Sequence, residues 1–247
     1  MLINLIMKIT FFNIKSILFL LLLIEFCLIL NGCHSEPDEI QKETEPTQST
    51  KEWINPPLFD SDSAYKFIKK QVDFGPRKPK SIAHKNCGDW IINKMISFGF
   101  LITEQTGKVT AFDGSKLPLR NIICRLNPNK KNRILLCAHW DTRPFADRDS
   151  VNQNEPIVGA NDGASGVGVL MEIARVLNNE NYLSGVDVIF FDVEDYGAPN
   201  MNSTFFDIQS MNDTWCLGSQ FWARNLSAKY IRPKYGILVD MVGAENA

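Results

Sequence analysis

Apolar strand-like runs that alternate with helical patterns predict an α/β sandwich built on a largely parallel central sheet. Three observations carry this expectation. Short runs rich in Val, Ile, Leu and Phe recur at residues 119–126, 134–138, 186–192 and 235–239. Between the second and third of them, residues 165–178 are apolar on most faces, as in a helix buried inside a large domain. The chain has 247 residues, 45% of them apolar and 22% charged, a globular composition that suits one medium-sized domain.

The N-terminal stretch is set apart from that domain. Lys8 and Lys15 precede an apolar run from Ile17 to Leu30, interrupted by Glu25. A basic start, a short apolar run and a small residue at its end read as an export signal over residues 1–32. The run is too short and broken for a membrane span. It ends in Leu30-Asn31-Gly32-Cys33, which looks like a bacterial lipobox, so Cys33 is the expected lipidation site. Residues 33–59, rich in Glu, Pro, Thr, Ser and Gln, bury too little apolar surface to fold and read as a flexible tether. The expected localisation is therefore exported and lipid-anchored to the bacterial cell envelope.

The folded domain is expected over residues 60–247. Ala64, Phe67, Ile68 and Val72 fall at helical spacing, and Phe74-Gly75-Pro76-Arg77 breaks that helix. Residues 81–98 read as a second helix that ends at Gly99. The runs at 119–126 and 134–138 read as neighbouring strands around the turn Asn127-Pro128-Asn129, and 220–226 as a further helix. Without residues 1–32, the balance is 24 basic against 27 acidic residues, and no Lys/Arg cluster exceeds three residues. A nucleic-acid surface is not expected. Cys87, Cys124, Cys137 and Cys216 form no CxxC pair, so a thiolate zinc site is not expected, and Cys124 and Cys137 read as buried thiols.

The chemistry sits where the strands end. One run leads into His139-Trp140-Asp141, another into Asp192-Val193-Glu194-Asp195, and a third into Asp240, while Asn161-Asp162-Gly163 precedes the buried helix. In open α/β sheets the carboxyl ends of the strands form the ligand crevice. Taken singly, His139 reads as a core histidine, Asp162 as a helix cap, Glu194-Asp195 as a solvated loop and Asp240 as a turn former. Together they place several carboxylates at one edge of a buried sheet, which is costly unless a cation neutralises them. One His among carboxylates suits zinc better than magnesium or calcium. Gly159, Gly163, Gly166 and Gly168 would let the backbone turn tightly around a metal-binding loop.

These segments, in this order and spacing, resemble the M28 metallopeptidase clan. Within it the chain looks like the glutaminyl-peptide cyclotransferases of the bacterial lipoprotein type. The supporting segments are Phe74-Gly75-Pro76-Arg77, Cys137 to Pro144, and Asp213 to Gln220. The resemblance implies a three-layer sandwich with a mixed, largely parallel sheet. It implies that Asp162 and Asp195 bind zinc and that Glu194 is the general acid/base. Asp195 stands where M28 aminopeptidases usually carry Glu. Asp240 and His139 match second-zinc ligands of the peptidases, or groups acting by hydrogen bonds in one-zinc cyclases, where Asp240 lies near the reacting centre. The family's last zinc ligand is a C-terminal His. The sequence holds only His34, His84 and His139, none of which matches it, so the chain reads as C-terminally truncated.

The resemblance therefore implies conversion of N-terminal Gln of peptides and proteins to pyroglutamate, with release of ammonia. Trp140 and Trp215 are candidate pocket walls. The alternatives are a two-zinc M28 aminopeptidase, with His139, Asp162 and Asp240 on its metals, and an inactive fragment or degenerate surface lipoprotein.

Overall fold

Asp60 marks the point where the chain becomes regular: its carboxylate accepts from the backbone N–H groups of Asp62 and Ser63 and caps the first helix. The computed structural model describes residues 56–178, 182, 184–199 and 213–243; the expected export signal, tether and Cys33 lie outside them. The elements are α1 (Ser61–Asp73), α2 (Ile82–Ser97), β1 (Leu101–Thr110), β2 (Lys116–Leu126), β3 (Arg133–His139), α3 (Ala164–Asn178), β4 (Gly185–Phe191), α4 (Leu217–Arg224) and β5 (Gly236–Leu238). None of the described helices is long and apolar enough to cross a membrane.

The sheet order is β1-β2-β4-β3-β5. β2 runs antiparallel to β1 and β4, whereas β3 pairs in parallel with β4 and β5. The sheet is thus mixed, with one strand running against the other four. Strands β2 and β3 follow each other in the chain but are not neighbours, because β4 inserts between them. The expectation of adjacent strands fails for a physical reason. The turn after β2 forms, with the Lys130 N–H on Asn127 O, but β4 occupies the edge of β2 that β3 would need, and parallel pairing of β3 with β4 requires the crossover that α3 supplies.

β1 was not expected from the sequence. Its residues alternate between exposed and half-buried along a polar sheet edge, so no apolar run announces it. The signal that could have found it is Asp113-Gly114, a hairpin turn in which Gly114 has φ +81°.

Two layers of side chains cover the sheet. On one face α2 and α3 bring Cys87, Ile91, Met95, Val167, Leu170 and Met171 against Ile122, Leu136, Val188 and Phe190. On the other, Ile123, Cys137, Ile189 and Phe191 pack with Trp222 of α4. Neighbouring residues of β2 and β4 thus serve opposite faces, and every residue of β4 is buried. The four described cysteines are free thiols. Gly168 lets α1 and α3 touch, since a Cβ there would lie 2.5 Å from Ile68 Cγ1.

Candidate active site

Three parallel strands point their carboxyl ends at one place. β3 ends in His139, β4 leads into Asp192-Val193-Glu194-Asp195, and β5 leads into Asp240. The 159–163 loop folds over this edge. Gly159 and Gly163 take positive φ values of +64° and +57°. A Cβ at Gly163 would lie 2.8 Å from His139 Cε1, so only glycine lets Asp162 approach the imidazole. Gly166 and Gly168 belong to α3 instead: Gly166 lies against the Val239 carbonyl after β5, and Gly168 against Ile68 of α1.

The buried His139 is the hub. Its Nε2 lies 2.9 Å from Asp162 Oδ1 and 3.4 Å from Asp240 Oδ1. Its Nδ1 lies 3.5 Å from Asp141 Oδ1, without hydrogen-bond geometry. Burial opposes the imidazolium charge, but Asp141, Asp162 and Asp240 outweigh it and hold the pKa well above the usual histidine value. The hydrogen bond from His139 in turn lowers the Asp162 pKa.

Asp141 was not singled out from the sequence, yet it organises the site. It is fully buried. Its two carboxylate oxygens accept from the backbone N–H groups of Glu194 (3.0 Å) and Asp195 (3.2 Å). That grip holds an unusual turn: Val193 sits at φ +53°, a left-handed conformation that costs a β-branched residue about 1–3 kcal/mol. The turn presents Glu194 and Asp195 side by side. Burial, then the charge of Asp141, pushes the Asp195 carboxyl up to about 8. Burial also raises Glu194, whose Oε1 lies 3.4 Å from the Cys216 Sγ.

Arg77, in the Phe74-Gly75-Pro76-Arg77 segment, is another organiser that the sequence alone left without a role. Its buried guanidinium donates to the carbonyls of Val158 and Gly159 (2.7 Å to the latter) and so fixes the loop before Asp162. Arg143 does the same for the acid turn, donating to Asp195 O at 2.9 Å. Its guanidinium lies over two rings, Phe145 at 4.4 Å and Trp215 at 4.6 Å from the centroids, and Trp215 is half-buried beside the acid turn. Trp140 is different. It has no exposed surface and stacks on His84 at 4.1 Å. The expectation that it walls a pocket is therefore corrected: its indole is core, because its ring points away from the strand end into the α2 layer.

The sequence-predicted residues His139, Asp162, Glu194, Asp195 and Asp240 thus converge, and Asp141 joins them. Ligand atoms of His139, Asp162 and Asp240 lie within 4.8 Å of one another. Asp195 Oδ2 is buried without a hydrogen-bond partner. An excess of carboxylate over cation, with an orphaned oxygen, fits a divalent ion, and one imidazole among carboxylates fits zinc.

The sequence profile of peptidase family M28 matches residues 121–247, just over half of the chain. The chain belongs to that family. Its fold is also that of solved M28-type structures. Bacteroides thetaiotaomicron glutaminyl cyclase bound to N-acetylhistamine is 49% identical with a TM-score of 0.73, over 78% of this chain and 65% of that one. Porphyromonas gingivalis glutaminyl cyclase is 47% identical with a TM-score of 0.71, over 78% and 64%. A Zn-dependent exopeptidase from Parabacteroides distasonis is 46% identical with a TM-score of 0.72, over 77% and 64%. The chain spans less than two thirds of the length of each of these relatives.

Proposed function

We propose that this M28 protein is a zinc-dependent glutaminyl-peptide cyclotransferase acting on peptides and proteins with an N-terminal Gln. The observation that carries the reading is the acid turn. Glu194 is a half-buried carboxylate with a raised pKa beside a cluster that fits zinc, and glutaminyl cyclases share the fold at nearly half identity. A bound zinc would polarise the γ-carbonyl of the substrate's Gln side chain. Glu194 takes a proton from the α-amine as its nitrogen closes on that carbonyl carbon. It returns the proton to the departing nitrogen, so one C–N bond forms, one breaks, and ammonia leaves. The raised pKa of Glu194 is in the direction that suits a group that must both accept and donate a proton. Asp162 and Asp195 are the proposed zinc ligands; His139 and Asp240 steady the site by hydrogen bonds, and Trp215 shields the substrate.

A second reading, an M28 zinc aminopeptidase, is favoured by one observation. His139, Asp162 and Asp240 group as closely as metal ligands do, and a Zn-dependent exopeptidase has the same fold. Incubation with Gln-peptides separates the two. Ammonia release with a pyroglutamyl product supports the cyclase, whereas release of free N-terminal residues moves the assignment to the peptidase.

Export and lipid anchoring through Cys33 belong to the same proposal, supported by the Leu30-Asn31-Gly32-Cys33 segment. Cys33→Ala is expected to release the protein from membranes and abolish lipid labelling. An unlabelled parent protein with unchanged membrane partition in the variant would overturn the anchor.

A further inference from the structure

We infer that His84 is a positioning residue that locks the ends of β3 and β4 together beneath the acid turn. His84 stands in the first turn of α2, where its N–H is capped by Ser81 Oγ at 3.0 Å, and it is buried. One imidazole makes two couplings. Its Nε2 lies 2.7 Å from Asp192 Oδ1, just beyond β4. Its ring face stacks on Trp140, just beyond β3, at 4.1 Å and an interplanar angle of 20°.

Each partner leads directly to the site. Asp192 is fully buried, and the same Oδ1 that meets His84 accepts the N–H of Val193 at 2.9 Å. Its Oδ2 accepts the N–H of Arg120 at 2.7 Å, and its own N–H donates to Asn121 Oδ1 at 2.9 Å. Asp192 therefore ties the left-handed Val193 to β2. On the other strand, the Trp140 N–H donates to Phe191 O at 3.0 Å. The next residue is Asp141, which receives the N–H groups of Glu194 and Asp195. His84 thus braces the acid turn from both sides, through the residue that starts it and through the neighbour of the residue that receives it. A buried carboxylate that loses its donor is costly and relaxes toward other partners, and here those partners would be the turn's own amides. The brace rests on the proposed function only for what Glu194 and Asp195 do once placed.

Two substitutions divide the couplings. His84→Phe keeps an aromatic face for Trp140 and removes the donor to Asp192. His84→Gln keeps a donor and removes the ring. Amide hydrogen exchange on the 247-residue chain reads the brace without metal or substrate. In His84→Phe, exchange at Glu194 and Asp195 is expected to accelerate about tenfold or more relative to the Val188 and Ile189 amides of β4, as local opening does. His84→Gln should restore most of that protection. Should His84→Phe fail to fold, His84→Gln compared with the parent still decides: the brace requires its Trp140 and Asp141 amides to exchange faster while Glu194 stays protected. Turnover of Gln-peptides should show a fall in kcat with KM little changed. Exchange at Glu194 and Asp195 that merely follows the β4 amides would overturn the brace. Turnover bears on the cyclase reading alone, and the exchange result decides the brace whether or not the parent turns over.

Discussion

Asp187 and Asp195 both lie buried on the β4 segment, one within the strand and one beyond its carboxyl end, and their surroundings are opposite. Asp187 is fully enclosed and fully matched. Arg133 donates to both of its carboxylate oxygens, Tyr230 adds a hydrogen bond at 3.1 Å, and Arg125 stands 3.8 Å away. Asp195 keeps an oxygen without any hydrogen-bond partner, among Asp141, Asp162 and Glu194. The protein can therefore match a buried carboxylate with guanidinium groups when the purpose is structural. At the other end of the sheet it leaves charge unmatched, which is the condition for binding an external cation.

The largest expected effect breaks the matched end. Arg133→Met strands the buried Asp187 and should cost about 3–5 kcal/mol of stability, read from urea unfolding. Loss of much less would mean that the pairing contributes little. At the unmatched end the effect falls on chemistry instead. Glu194→Gln should leave the unfolding midpoint near the parent value and lower turnover of Gln-peptides by about 10²–10⁴-fold. Near-parent turnover would remove Glu194 from its role.

A smaller effect sharpens the contrast through pH. The folded-state pKa of Asp195 is raised from 3.8 to about 8. Between those values the folded protein binds more protons than the unfolded chain, so stability falls as pH rises through the window. His139 acts in the same direction, since its raised pKa contributes stability that is fully present below about 6.5 and lost at higher pH. The metal-free protein should lose stability from weakly acidic to weakly alkaline pH, and Asp195→Asn should flatten the slope. A stability that rises over that range would contradict the assignment.

Much of this was legible in the sequence. The helices α1 and α3 follow from their apolar patterns and α2 from its stop at Gly99, while the caps Asp60 and Ser81 show in the structure. His139, Asp162, Glu194, Asp195 and Asp240 were legible because each follows an apolar run or precedes a buried helix. β1 was not, because an edge strand needs no apolar face. The β4 insertion between β2 and β3 was not, because periodicity reports burial and not pairing partners. Asp141, Arg77 and His84 escaped notice as organisers because their partners are backbone groups or residues far along the chain, which only the folded geometry brings together. Trp140 was misread because its neighbour in sequence, Asp141, faces the site while its own ring faces α2.

The central claim is that the unmatched acids are held for zinc, and thermal melting of the protein over a range of zinc concentrations tests it most directly. The account predicts that zinc raises the melting temperature in a concentration-dependent way. Asp162→Asn and Asp195→Asn should lose most of that rise, while Arg125→Met at the matched end keeps it. No rise with zinc, or an equal rise in all three variants, would contradict the account.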